Sequence, residues 1–398
     1  MQLNTLFKYW TYRLFAPGVV LRETYEAFRE LLVFDNRSHE LMADLEVLYY
    51  QGIKEDLCRI GHRYNDLADS VNGMITCLER MAPGSFVTLR EYYRKFDFYG
   101  RFLLAPPTVR FGPPFALPLD AAAAQKPEMV GAKTANLAAI AAALQLPIPA
   151  GFVITVNSFN YLLEYNDLRG AINALLARID PAAPDSLADI SSQLTALITA
   201  AEVPPAVHEA IVAAQAAAFA GREDTINMAV RSSAVGEDSE FSFAGQYATV
   251  LDVRRDNLIA AYLAVLASKY RPEALTYRIH TGFGDEETPM AVMVLEMVDA
   301  TASGVVYTIG PTCAETDQVH IHTVRGLGEG LVSGRLIPEV LAVDRDGLRV
   351  RPPATDDDRL DPGRPSALSH QHAAGLAARA LEIEKHFGSP QDIEWVMR

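Results

Sequence analysis

Hydrophobic spacing divides the chain into two regimes. Through the first 104 residues apolar side chains recur every three or four positions. In LRETYEAFRELL, Leu21, Tyr25, Phe28, Leu31 and Leu32 fall between charges, the spacing that lays an apolar stripe along an α-helix. Asn36 and Ser38 read as a break or cap before a second, longer pattern from Leu41 towards Met81. Pro83-Gly84 ends it, and a short helix covers Leu89 to Phe98. Residues 1–104 are therefore a helical bundle, with no visible site. LLAPPTVRFGPPFALPLD, from Leu103 to Asp120, is too rich in proline for helix or central strand. We read 105–125 as a linker.

From residue 126 the pattern changes to strands alternating with helices. An alanine-rich helix spans Lys133 to Leu144, a strand Gly151 to Val156, and two or three helices fill 158–220. Strands follow at Met228–Val230, Thr249–Val253, Met290–Val298, Gly304–Thr308 and His320–Val324. A helix at Ser369–Phe387 precedes a last strand, Asp392–Met397. Residues 126–398 are thus a mixed α/β domain.

Composition adds exclusions. The net charge of -15 disfavours nucleic acid and anionic membranes as partners. No apolar run approaches the ~20 residues that span a bilayer. The N-terminal segment interrupts its apolar residues with Lys8 and Arg13, unlike a signal peptide. Cys58, Cys77 and Cys313 lack paired spacing, which fits a reducing, cytoplasmic setting.

Three stretches have the chemistry to hold a phosphate-bearing ligand. In VGAKTANL, Gly131 turns the backbone and Lys133 sits in a first helical turn, where helix N–H groups and an ammonium can meet phosphate; a solvated lysine is the plain alternative. In MAVRSSAVGED an apolar strand runs into Arg231, which either pairs with Glu237 or Asp238 or grips phosphate oxygens. The Phe243-Ala244-Gly245-Gln246 turn behind it has the glycine a phosphate-covering loop needs. In QDIEW, Asp392 and Glu394 share one strand face while Ile393 and Trp395 share the other. Two carboxylates so placed suit Mg²⁺, or else a solvated strand edge.

Together, VGAKTANL, PIPAGFVIT, AVRSSAVGED with SFAGQ, ASKYRPEALTYR, MVDATASGVVYT, VRGLGEGLVSGRLIPE and IEKHFGSPQDIEW resemble, in order, the ATP-binding domain of the phosphoenolpyruvate synthase and pyruvate phosphate dikinase family. The resemblance covers about 126–398 and implies an ATP-grasp fold behind an N-terminal helical bundle. It implies that Lys133 meets the ATP phosphates and Arg231 the transferring phosphoryl group. Gly245 and Gln246 would cover the triphosphate, and Thr308 and Glu329 would line the nucleotide cleft. Met297 and Val298 would form the adenine hinge, and Asp392 and Glu394 the metal site, giving ATP and Mg²⁺ as cofactors. The chain departs from relatives at Leu295-Glu296, where they often have Gln and a basic residue.

By that resemblance the chain is the ATP-binding part of a dikinase-type phosphotransferase. A swivelling phosphohistidine domain and an acceptor-binding domain, with a small-molecule acceptor, would be its partners. The sequence stops at Arg398 before the strand that in relatives completes the site, an arrangement expected of a truncated chain or a split subunit. Ser369-His370 reads as a helix N-cap and first-turn residue rather than a phosphohistidine. The competing reading is a nucleotide-binding regulatory or scaffolding module with a docking bundle.

Overall fold

A computed structural model describes residues 15–51, 57–104, 109–179, 184–222, 224–235, 247–310, 317–332, 335–351 and 366–398. The N-terminal region is helical as expected, with its first break elsewhere. Helix α1 (Pro17–Tyr50) runs through Asn36 and Ser38 without interruption. The buried Ser38 hydroxyl donates to the Phe34 carbonyl one turn back (2.8 Å), so it neither caps nor breaks the helix. Helix α2 (Leu57–Met81) returns along α1, and α3 (Val87–Leu103) packs on α2 through Arg90, whose guanidinium donates to both oxygens of Glu79 at 2.8 and 2.9 Å.

The first sheet has strand order β1-β2-β5-β3-β4, with every pair antiparallel. Its strands are β1 (Ala116–Pro118), β2 (Gly151–Ile154), β3 (Met228–Ala234), β4 (Thr249–Val253) and β5 (Met290–Glu296). The proline-rich stretch therefore enters the sheet ten residues before the expected start at 126. β1 lies at an edge, where Pro118 needs no ladder N–H. β3 also continues past Val230 to Ala234, so Arg231 is mid-strand rather than at a strand tip.

Side chains alternate across this sheet. Val230, Val292 and Val294 enter the main core under α7 (Val156–Tyr165), α10 (Pro205–Ala218) and α11 (Leu258–Ala267). On the opposite face, Met293 and Leu295 pack with Leu119 and Ile148, and Val153 and Ala291 with Val130 and Ala138. Val130 ends α5 (Pro127–Val130), and Ala138 belongs to α6 (Ala132–Leu144).

A charged knot fixes one side of the main core. After α11, a turn at Ser268–Tyr270 leads into α12 (Pro272–Thr281), so ASKYRPEALTYR is two helical pieces broken before Pro272. Lys269 is fully buried, and its Nζ lies 2.7 Å from both the Asp285 carboxylate and the Asp285 carbonyl. Arg278 Nη1 meets the same carboxylate oxygen at 2.5 Å, and the Tyr270 hydroxyl donates to the other at 3.1 Å. Burial lowers the Lys269 pKa to about 8 despite Asp285, while the two cations overcome burial and hold the Asp285 carboxyl well below its usual range. Ser268, next to Lys269, accepts the Ala248 N–H just before β4 (2.9 Å).

The second sheet has order β10-β6-β7-β8-β9, again all antiparallel. It comprises β6 (Ala302–Tyr307), β7 (Gln318–Arg325), β8 (Glu339–Asp344), β9 (Val350–Arg351) and β10 (Asp392–Met397). α14 (His370–Phe387) covers one face, burying Ala373, Ala377 and Ala380 against Val306, Ile321 and Leu341, with Ile393 and Trp395 packed alongside. Ser369 caps that helix, its hydroxyl accepting the His372 N–H at 3.2 Å, as the sequence predicts. β8 and β9 were not legible in the sequence.

Candidate functional site

The uncovered face of the second sheet meets the first. Register places Asp392, Tyr307 and His320 in one row and Glu394, Val305 and His322 in the next, all on the face away from α14. The Tyr307 and His322 rings meet edge to face, 5.0 Å apart. Opposite them, β3 presents Arg231, whose register partner on β5 is the buried Met293.

The two faces touch where Arg231 Nη2 donates to Glu394 Oε2 at 2.6 Å, across 163 positions of sequence. Neither nearby acid, Glu237 or Asp238, lies among the described residues. Both partners are partly solvent-exposed, and such a pair contributes about 0–1 kcal/mol. A phosphate entering the cleft can therefore take the guanidinium from Glu394 at little cost, freeing the carboxylate for a cation.

Lys133 is brought to the same face by backbone contacts. Gly131 has φ 76° and ψ 158°, a conformation essentially restricted to glycine. A Cβ there would overlap the Ser233 carbonyl, so only glycine lets α6 start this close to β3. The Ser233 hydroxyl accepts from the Thr134 N–H (3.1 Å) and the Thr134 hydroxyl (3.0 Å) and donates to the Val130 carbonyl (3.1 Å). Ser233 is two residues from Arg231 on the same strand face, about 7 Å along the strand. The first turn of α6, with Lys133 in it, is thus fixed beside Arg231.

Asp392 stands across the cleft on the Glu394 face. Partial desolvation raises its pKa, and both carboxylates with burial raise that of Tyr307. Asp392 and Glu394 together offer carboxylate oxygens, the hard donors that Mg²⁺ takes, on one strand face. His322 is pushed the other way, its pKa lowered by burial and by His320.

The remaining expected residues divide. Thr308 is fully buried. Its hydroxyl accepts the Gln391 N–H (2.8 Å), its N–H donates to the Gln391 carbonyl (3.0 Å), and its carbonyl accepts from Arg345 (2.6 Å). It clamps the start of β10 and so sets where Asp392 stands. Glu329 opens a one-turn helix, α13 (Glu329–Val332), whose approach at Gly326 is tied to β6 by the Ser303 hydroxyl (2.6 Å); its side chain is outside the described set. Met297 donates its N–H to the Asn227 carbonyl (2.9 Å), which leaves its own carbonyl and the Val298 backbone for the expected hinge contact. Gly245 and Gln246 lie outside the described residues.

The sequence singles out Leu295-Glu296 but not its pairing. Leu295 is buried against Leu119, and Glu296 beside it receives both Arg222 nitrogens (3.0 and 3.2 Å) and approaches Arg398 at 3.5 Å. Arg398 follows β10, so the two sheets are bridged a second time at the Glu296 end of β5. The acid following an apolar β5 residue was the available signal; its partners are too distant in sequence to infer.

Residues 127–398 match the family model of the pyruvate phosphate dikinase AMP/ATP-binding domain. The probable phosphoenolpyruvate synthase of Methanocaldococcus jannaschii is 31% identical over 301 residues, covering 70% of this chain and 25% of that protein. The phosphoenolpyruvate synthase of Pseudomonas aeruginosa is 32% identical over 315 residues, 71% of this chain and 40% of the relative. A Streptomyces rifampicin phosphotransferase is 30% identical over 285 residues, 67% and 32% respectively. The chain spans a quarter to two-fifths of the length of these three relatives. It belongs to the pyruvate phosphate dikinase AMP/ATP-binding domain family.

Proposed function

From that membership we propose that the cleft between the two sheets binds ATP with Mg²⁺ and positions it for phosphate transfer to a histidine on a separate swivelling domain. That domain would pass the phosphate to a small-molecule acceptor. The observation that carries this reading is the meeting of Arg231 with Glu394, beside the anchored first turn of α6. Phosphoryl transfer needs little covalent help from protein; positioning and charge neutralisation provide most of the catalysis. Arg231 offers a planar fork to phosphate oxygens, Lys133 an ammonium, and the α6 N-terminus its N–H groups. Asp392 and Glu394 would hold Mg²⁺, which when bound adds positive charge to the triphosphate. Val298 would meet the base, Glu329 the cleft wall, and Gly245 with Gln246 the triphosphate. The acidic net charge and the unpaired spacing of the cysteines fit a cytoplasmic enzyme.

Calorimetric titration of ATP with and without MgCl₂ tests the site. Wild type should require Mg²⁺, and Arg231→Ala and Glu394→Gln should each weaken binding at least about tenfold, roughly 1.4 kcal/mol. Metal-independent binding, or binding indifferent to both substitutions, would refute the assignment. If ATP binds as expected yet no added histidine-bearing domain from a relative is labelled from γ- or β-labelled ATP, the chain is a nucleotide-binding regulatory module instead.

A further inference from the structure

Among the described residues, the N-terminal bundle exposes apolar side chains in a regular pattern. α3 has no buried residue, yet Leu89, Tyr92, Phe96, Tyr99 and Leu103 follow one another at spacings of three, four, three and four. These five are 41–76% exposed. α1 has a matching line, Leu21, Tyr25, Phe28 and Leu32, spaced four, three, four and 45–73% exposed. In α1 this line runs beside the stripe that faces α2, in which Ala27, Ser38 and Leu41 are buried. Each helix therefore has an inner side packed within the bundle and an outer seam that stays exposed among the described residues.

Alternating three- and four-residue spacing is what a second α-helix requires, because each side chain then enters a hole formed by four residues of its partner. We propose that the partner is a second copy of this chain, with α3 of one protomer lying on the outer seam of α1 of the other. Area supports a stable pair. At roughly 150–250 Å² per large side chain, the nine seam residues expose on the order of 1,000 Å² per protomer, above the roughly 800 Å² per partner of a standard interface. Charge chooses the pairing. α1 carries seven acidic and three basic residues, and α3 four basic and two acidic. Setting α3 against α1 brings opposite charges together, whereas α1 against α1 joins like charges. The arrangement is also self-closing: two identical contacts related by a two-fold axis use both seams of both copies and leave no open end.

Sedimentation equilibrium of the 398-residue chain tests this. Wild type should sediment at twice 43.6 kDa. Phe96→Glu and Tyr25→Glu should each raise the dimer dissociation constant at least about 100-fold, with unchanged far-ultraviolet dichroism because both side chains are exposed. Mixing the two variants should restore a dimer, since one α1–α3 contact in the mixed pair carries neither charge. Arg231→Ala should dimerise like wild type, which keeps this result separate from the nucleotide reading. A monomeric wild type at 50 µM overturns the proposal, as does a dimer untouched by both variants. A dimer lost in Phe96→Glu but kept in Tyr25→Glu overturns the α1–α3 pairing. Dimerisation appearing only after deletion of residues 2–14 would show that the chain's own N-terminus occupies the seams, and would overturn it too.

Discussion

Asp285→Asn isolates the contribution of the charged knot at Lys269. In the wild type one carboxylate, almost fully buried, faces two buried cations and a tyrosine hydroxyl. Asparagine keeps the shape but removes the charge, so Lys269 and Arg278 confront each other without a counter-ion. Removing one partner of a buried ion pair costs about 3–5 kcal/mol. For a domain of this size about 1 kcal/mol moves the midpoint by roughly 2–4 °C, which predicts a fall of about 6–20 °C in a calorimetric melt at pH 7. Arg255→Gln, which breaks a pair with Asp224 that is exposed on both sides, serves as the control and should stay within about 1 kcal/mol. The pH dependence has a definite sign. The folded Asp285 pKa is depressed, so its stabilisation is complete above the unfolded value near 4 and is lost as pH falls below it. Lys269 is lowered to about 8 in the folded state, so between about 8 and 10.5 the unfolded chain holds the extra proton and stability rises with pH. Both trends should be visible in wild type, and the acid limb should flatten in Asp285→Asn. A melt within about 2 °C of wild type would refute the assignment of this knot to stability.

Three further outcomes follow from the cleft. Arg231→Ala should leave the melting midpoint within about 2 °C while weakening ATP binding, because its partner Glu394 is half exposed; a large loss of stability in a thermal melt would contradict this. Gly131→Ala forces a side chain into the Ser233 carbonyl at a backbone angle alanine avoids, so calorimetry should find ATP affinity reduced at least tenfold even where folded protein is recovered. Thr308→Val orphans the Gln391 N–H and should cost about 1–3 kcal/mol in urea unfolding, without requiring contact with nucleotide.

Much of the fold was legible because its elements are locally encoded. The alanine-rich α6, the cap at Ser369 and the alternation of β10 each follow from residues within a few positions, and each stands where expected. Ser38 misled because a serine can satisfy its hydroxyl on the preceding turn as readily as at a helix start. β3 was cut short at Val230 because charge and hydroxyls look like a strand end. Ser233 is nonetheless buried by bonds to residues a hundred positions earlier. The cleft followed the same rule. The residue types at 133, 231, 392 and 394 were visible, but the partner of Arg231 was not, since the nearby acids compete on paper with a glutamate 163 positions away. Thr308 matched a polar pattern whose side of the strand only the register could decide.

The Thr308–Gln391 clamp has a consequence for how this chain tolerates change in length. Along β10 acids and apolar residues alternate, so sliding the strand by one position would drive Asp392 and Glu394 under α14 and turn Ile393 and Trp395 out to solvent. Two hydrogen bonds at the first rung decide between those arrangements. An insertion or deletion of one residue after Gln391 should therefore do more damage than replacing either acid, and Gly388 to Pro390, ahead of the clamp, is where length variation can be absorbed.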